Sequence, residues 1–177
     1  MDCMKYIKSI LALFSFITLT GCLGMPNGVE PVQNFELNKY LGKWYEIARL
    51  DHSFERGLNN VTAEYTLNSN GSVGVTNTGF DTEKGEWKTA NGTAKFVGDS
   101  NEGYLKVSFF KPFYGSYVVF ELDKPHYQYA FVSGPDTSYL WLLSRTPTVP
   151  SAVAEDFVKQ ANALNFATEN IVFVEHD

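Results

Sequence analysis

A chain of 177 residues suits one folded domain plus a targeting segment. Apolar residues make up 44% and charged residues 19%, a globular composition that excludes a disordered chain. The formal net charge of −6, with no cluster of Lys or Arg, argues against nucleic acid as a partner, because an acidic surface repels phosphate backbones.

The chain starts as an address. Lys5 and Lys8 precede a short apolar run, Ile10 to Leu19, which is too short to span a membrane permanently. It ends in Leu19-Thr20-Gly21-Cys22. That ending resembles the bacterial lipobox, whose cysteine is acylated and becomes the mature N-terminus. Residues 1–21 are therefore read as a lipoprotein signal peptide and Cys22 as the lipidation site. Several acyl chains give stable anchoring, at about 0.8 kcal/mol per buried CH₂. Position 23 is Leu rather than Asp, which by resemblance to lipoprotein sorting in enterobacteria implies the outer membrane, lipid-anchored and facing the periplasm. Residues 22–34 carry Gly24, Pro26, Gly28 and Pro31 and read as a lipidated, flexible tether. The domain proper is expected over 35–177.

Short apolar-aromatic runs follow, divided by turn residues. They predict strands over 43–52, 61–67, 73–80, 84–90, 93–97, 104–110, 115–122, 127–133 and 139–145. Asn68-Ser69-Asn70-Gly71 and Asn91-Gly92 read as turns, although 84–90 and 93–97 also fit one bent strand. Val149-Pro150-Ser151 opens a helix with Ser151 as its N-cap. Val153, Phe157, Ala161 and Leu164 give that helix one apolar face. A short last strand runs from Ile171 to Val174. The fold class is all-β: an eight-stranded antiparallel up-and-down barrel, one C-terminal helix and a short final strand. Closure removes exposed strand edges, and eight strands leave room for one small ligand. The pattern alone also fits a sandwich.

Gly42-Lys43-Trp44-Tyr45-Glu46 on the first strand resembles the Gly-any-Trp motif of the lipocalins. Leu143-Ser144-Arg145-Thr146-Pro147 follows about a hundred residues later, just before the helix, as in that family. The segments Trp44 to Arg49, Asp51 to Leu58, Lys106 to Phe110, Phe113-Tyr114-Gly115 and Gly134 to Trp141 are similar to the bacterial, outer-membrane lipocalins, with apolipoprotein D as an animal relative. The resemblance covers roughly residues 30–177. It implies that Gly42, Trp44 and Arg145 close one end of the barrel, with the guanidinium over the indole. It also implies a fatty acid or lysophospholipid as ligand and a membrane held through the N-terminal lipid. A homodimer is left open. The family's Thr-Asp-Tyr turn is reduced here to Asp123 within Leu122-Asp123-Lys124-Pro125-His126-Tyr127. The usual disulfide is missing, because both cysteines, Cys3 and Cys22, precede residue 23.

Strand alternation picks out the wall of the lumen. Arg145 aims at Trp44, so Leu143, Trp141 and Tyr139 share its inward parity. Val75 and Asn77 on the third run, and Leu105, Val107 and Phe109 on the 104–110 run, complete the expected ligand wall. Tyr114, Tyr117, Arg56 and Lys111 are candidates for meeting a head group at the rim. The competing reading is a dry core.

Catalytic machinery is not expected. The three histidines, His52, His126 and His176, are not spaced for a metal, and neither a metal nor a cofactor is expected. His52 is read as a solvated loop residue near Asp51 and Glu55, and His176 as disordered. No nucleophile elbow or phosphate loop is present. Two further readings stand beside a lipid carrier: an envelope interaction or structural lipoprotein with a plugged barrel, and a lipid-modifying enzyme.

Overall fold

The computed structural model describes residues 23–177, so the expected signal peptide and Cys22 lie outside the described residues. A short helix, α1 (Leu37–Tyr40), leads into β1 (Gly42–Leu50). Seven more strands follow: β2 (Leu58–Leu67), β3 (Val73–Asp81), β4 (Glu86–Phe96), β5 (Tyr104–Phe110), β6 (Phe113–Leu122), β7 (Tyr129–Ser133) and β8 (Leu140–Ser144). Each pairs antiparallel with the next, and β8 returns to β1, which closes the sheet on itself. Helix α2 (Ser151–Ala163) and β9 (Ile171–Phe173) end the chain, β9 pairing with β1.

The alternation of side chains sets the two faces. On β2, Val61, Ala63 and Tyr65 are buried while Glu64, between two of them, is exposed. Two apolar layers result. One fills the lower barrel with Trp44, Tyr65, Val73, Ala94, Leu105 and Leu143. The other lies outside the wall, where Phe157 and Ala161 of α2 press on Ile47, Phe131 and Leu142. The Phe157 and Phe131 rings meet edge to face at 5.1 Å.

Several sequence expectations need correction. Asn91-Gly92 is not a turn: both lie inside β4, opposite Thr76 and Val75. A Cβ on Gly92 would sit 2.9 Å from the Phe109 ring, so the glycine makes room for an aromatic lying across the strand. Ser151 is the first helical residue of α2, and the cap position is Pro150, with no side-chain cap. His176 is ordered. Its Nε2 donates to the Glu46 carbonyl at 2.8 Å, and its ring stands edge-on to Tyr45.

The segment read as a flexible tether is packed along the barrel. A Cβ on Gly24 would lie 3.6 Å from the Pro135 carbonyl oxygen. Val29 is buried beneath α2. Val32 N donates to Val119 O at 2.9 Å, and Phe35 N to Asn101 O at 2.7 Å. The segment therefore runs the length of the outer wall, from the β7–β8 loop to the β4–β5 loop.

Phe35, Tyr40, Trp44 and Tyr127 floor the barrel. Trp44 is fully buried, and its indole N–H donates to Tyr40 O at 2.8 Å. The Arg145 guanidinium lies over the indole, with Cζ 3.9 Å from the ring centre. Its N–H groups donate to four carbonyls: Lys43 at 2.9 Å, Lys39 at 2.7 Å, Leu41 at 3.0 Å and Tyr127 at 3.3 Å. Gly42 turns the chain beneath it with φ of 92°, a left-handed conformation that suits glycine. Replacing Arg145 by Lys keeps the charge but loses the planar fork. That change should lower unfolding free energy by about 1–3 kcal/mol, read from the denaturant midpoint.

Candidate functional site

Above this floor the barrel is hollow. A cavity of about 880 Å³ opens at the end formed by the β1–β2, β3–β4, β5–β6 and β7–β8 loops. Its volume lies within the range of small-molecule sites. The barrel is not filled by its own side chains. Val75, Asn77, Leu105, Val107, Phe109, Tyr139 and Trp141, the wall expected from strand parity, all line it. Val75 and Leu105 lie deep and buried, whereas Phe109 is 43% exposed near the mouth. The β5–β6 ladder slips between Val107 and Phe110, so parity alone does not fix where the end of β5 points. Asn77 contributes a buried Oδ1 that has no hydrogen-bond partner in the protein.

The rim candidates divide. Tyr117 is not at the rim: its hydroxyl sits low in the barrel, 2.6 Å from the Tyr40 hydroxyl and 2.8 Å from that of Tyr65. Burial holds all three phenols above the ordinary tyrosine range, so they stay protonated and act as a polar patch in the floor. Tyr114 does line the cavity. Lys111 and Arg56 are exposed outside the lining, and Arg56 is paired with Asp51 at 2.7 Å.

One cluster escaped the sequence reading. Glu46, Arg49, His52 and Glu55 are all buried beside the cavity, which Glu46 and Glu55 line. Arg49 Nη1 donates to Glu46 Oε1 at 2.7 Å, and Nη2 to the carbonyls of Glu55 and Leu58 at 2.9 and 3.3 Å. Trp141 Nε1 donates to Glu55 Oε2 at 3.1 Å. Three residues apart on a strand, Glu46 and Arg49 belong on opposite faces; a register slip between Glu46 and Ala48 brings them together. Burial pushes the Glu46 carboxyl well up, and the Glu55 charge pushes it further, against the pull of Arg49. Burial also raises Glu55. Two carboxyls facing one guanidinium are neutral when they share a proton, so they titrate as a pair.

His52 is not the solvated loop residue that the sequence suggests. It is 8% exposed, stacked on Phe54 at 3.9 Å, with Nε2 3.2 Å from Glu55 Oε2. Burial first, then the Arg49 charge, lowers its pKa to about 4. It is therefore neutral at pH 7. Neither ring nitrogen has a hydrogen-bond partner of good geometry, so no hydroxyl is aligned on it as a nucleophile. Among the described residues no group of His, Cys, Asp and Glu is arranged to hold a metal.

This histidine makes stability depend on pH. Its ordinary value is 6.5 and its folded value about 4, so the unfolded chain takes up the proton first on acidification. Stability is lost progressively from about pH 6.5 down to about pH 4, by up to roughly 3 kcal/mol. The raised carboxyls act in the opposite sense and are common to wild type and variant. His52→Gln should therefore lose less stability than wild type between pH 7 and pH 4.5, measured by denaturant unfolding at each pH. Equal acid sensitivity in the two proteins would refute the assignment.

Comparison with known proteins agrees with this architecture. A Lipocalin-like domain matches residues 35–176. The chain is 58% identical over 169 residues to the outer membrane lipoprotein Blc of Vibrio cholerae, covering 96% of this chain and 99% of that protein. It is 47% identical to the Escherichia coli K12 protein of the same name, covering 97% and 98%. Apolipoprotein D of mouse is 35% identical, over 68% of this chain and 66% of its own. Among solved structures the cockroach allergen Per a 4 superposes with a TM-score of 0.67 at 23% identity, covering 88% of this chain and 96% of the allergen, which supports the fold. A closed eight-stranded barrel, a Trp–Arg floor and full-length similarity to named bacterial members lead to one conclusion: the chain is a lipocalin, of the outer-membrane lipoprotein branch.

Proposed function

We propose that this lipocalin carries small hydrophobic molecules, fatty acids or lysophospholipids, at the periplasmic side of the outer membrane, and catalyses no reaction. The observation that carries this reading is the cavity of about 880 Å³, walled mainly by Val, Leu, Ala and aromatic side chains and open at one end. An acyl chain entering it leaves water at about 0.8 kcal/mol per CH₂ buried. Part of that gain is already available in a membrane, so binding is exchange between two apolar phases. Asn77 and the Glu46–Glu55 pair are among the polar groups of the lining that a lipid's ester or hydroxyl can meet. A plugged structural barrel fits less well with so large a hollow. A lipid-modifying enzyme lacks an aligned nucleophile at His52. Cys22, acylated, holds the protein to the membrane.

Two experiments test this. Titration of the mature protein, lacking its acyl chains, with a lysophospholipid should saturate below the micelle threshold. Val75→Trp, which puts an indole into the lower cavity, should abolish that binding while the melting transition is retained. Binding that persists in the variant would move the ligand elsewhere. Separately, Cys22→Ser should release the protein from the membrane fraction into the soluble periplasm.

A further inference from the structure

Two independent features meet at the open end. The first is the course of the N-terminal segment. Gly24 lies against Pro135, and Pro135, with Gly134, Asp136 and Tyr139, belongs to the β7–β8 loop at the cavity mouth. From there the chain runs down the outer wall to Phe35 at the floor, fastened at Val29, Val32 and Phe35. Cys22 stands only two residues before Gly24. Two residues of fully extended chain reach about 7 Å. An anchor at Cys22 is thus tied to the mouth end of the barrel. The closed end, a barrel's length away, is out of its reach.

The second feature is the rim itself. Phe54 in the β1–β2 loop is 59% exposed, Phe110 77% and Phe113 55%. Phe110 and Phe113 stack on each other at 6.5 Å across the tip of the β5–β6 hairpin, where Lys111 is also exposed. Phe54 and Phe113 also line the cavity, so the apolar rim continues into the apolar lumen. Exposed large aromatics at a loop tip lose water-facing area when they enter a lipid interface, and a neighbouring Lys suits an anionic head-group layer. At the closed end, among the described residues, the exposed large apolar residues are the aliphatic Leu67 and Val97, with no exposed aromatic cluster, and the polar Lys39, Lys124 and Asn101 are exposed beside them.

We propose that the barrel rests mouth-down on the membrane, with Phe54, Phe110 and Phe113 set into the lipid layer and the Trp44–Arg145 floor turned away from it. This rests on the carrier reading above only for the acylation of Cys22. The occupant of the rim is the lipid surface itself. A cargo lipid then passes between bilayer and lumen without crossing water.

The test uses the full lipoprotein, acylated at Cys22 as verified by intact mass, reconstituted in phosphatidylethanolamine–phosphatidylglycerol vesicles. The mature chain has no other cysteine, so single labels can be placed by Lys111→Cys at the mouth and Lys124→Cys at the closed end. Fluorescence of the mouth label should be lost to nitroxide-bearing lipids, whereas the closed-end label should be quenched only by a water-borne quencher. Equal lipid quenching of the two labels, or quenching of the closed-end label alone, would overturn the proposal. In the background of Phe110→Ser with Phe113→Ser, the mouth label should lose its lipid quenching. If it stayed quenched, the tether alone would set the orientation and the aromatic insertion would be wrong. Ligand titration reads the carrier function separately. A barrel that binds lysolipid but shows no mouth quenching sinks only this proposal; one that docks but binds nothing sinks only the carrier reading.

Discussion

The stacking of Arg145 on Trp44 is the constraint on which the rest of the structure depends. A barrel wall is a sheet with two open ends, and apolar side chains at an open end meet water. The indole fills one end and the guanidinium covers the indole, with its donors spent on four main-chain carbonyls from β1, the segment before it and the β6–β7 turn. Segments of the chain about a hundred residues apart are thereby joined at one point. Because the floor is sealed by a few residues, the strands above it need not pack against each other across the lumen, and the hollow survives.

The cavity wall is graded from floor to mouth. At the bottom, three phenols share their hydroxyls and stay neutral. The middle is aliphatic, with Val75, Ala94 and Leu105. Toward the mouth come Asn77, the Glu46–Arg49–Glu55 cluster and Trp141, and then the exposed phenylalanines. An isolated charge in such a wall would be costly, but a guanidinium set against two carboxyls is tolerated, even with the Arg49 Nε–H left without a partner. The cluster thus places polarity beside an apolar tube without leaving a net charge that would require water to follow it in.

Much of this was legible in the sequence where a single rule governs the residue. Strand alternation places Val75, Leu105 and Trp141 on the inner face because no irregularity intervenes on their strands at those positions. The spacing of Trp44 and Arg145 carries the floor. The failures share one physical origin, contacts between residues distant in the chain. Asn91-Gly92 has the composition of a turn, yet the ladder to β3 continues through it, because the missing side chain lets Phe109 cross. Glu46 and Arg49 are brought together by a register slip that no alternation rule foresees. Tyr117 and His52 look like surface residues in a local window and are buried by partners from other strands. The segment after Leu23 has the glycine and proline of a linker, but Val29, Val32 and Phe35 are its fastenings, and that apolar periodicity was the available signal.

The sealed floor also makes the lumen a blind tube with a single port. A resident molecule cannot be pushed out from behind by a newcomer, since both would need the same entrance at once. Replacement then waits for the first occupant to back out unaided, so turnover of cargo follows its own escape rate and not the abundance of competitors. Such a vessel holds what it has loaded for as long as the tail takes to withdraw, a property of storage set by one indole and one guanidinium at its base.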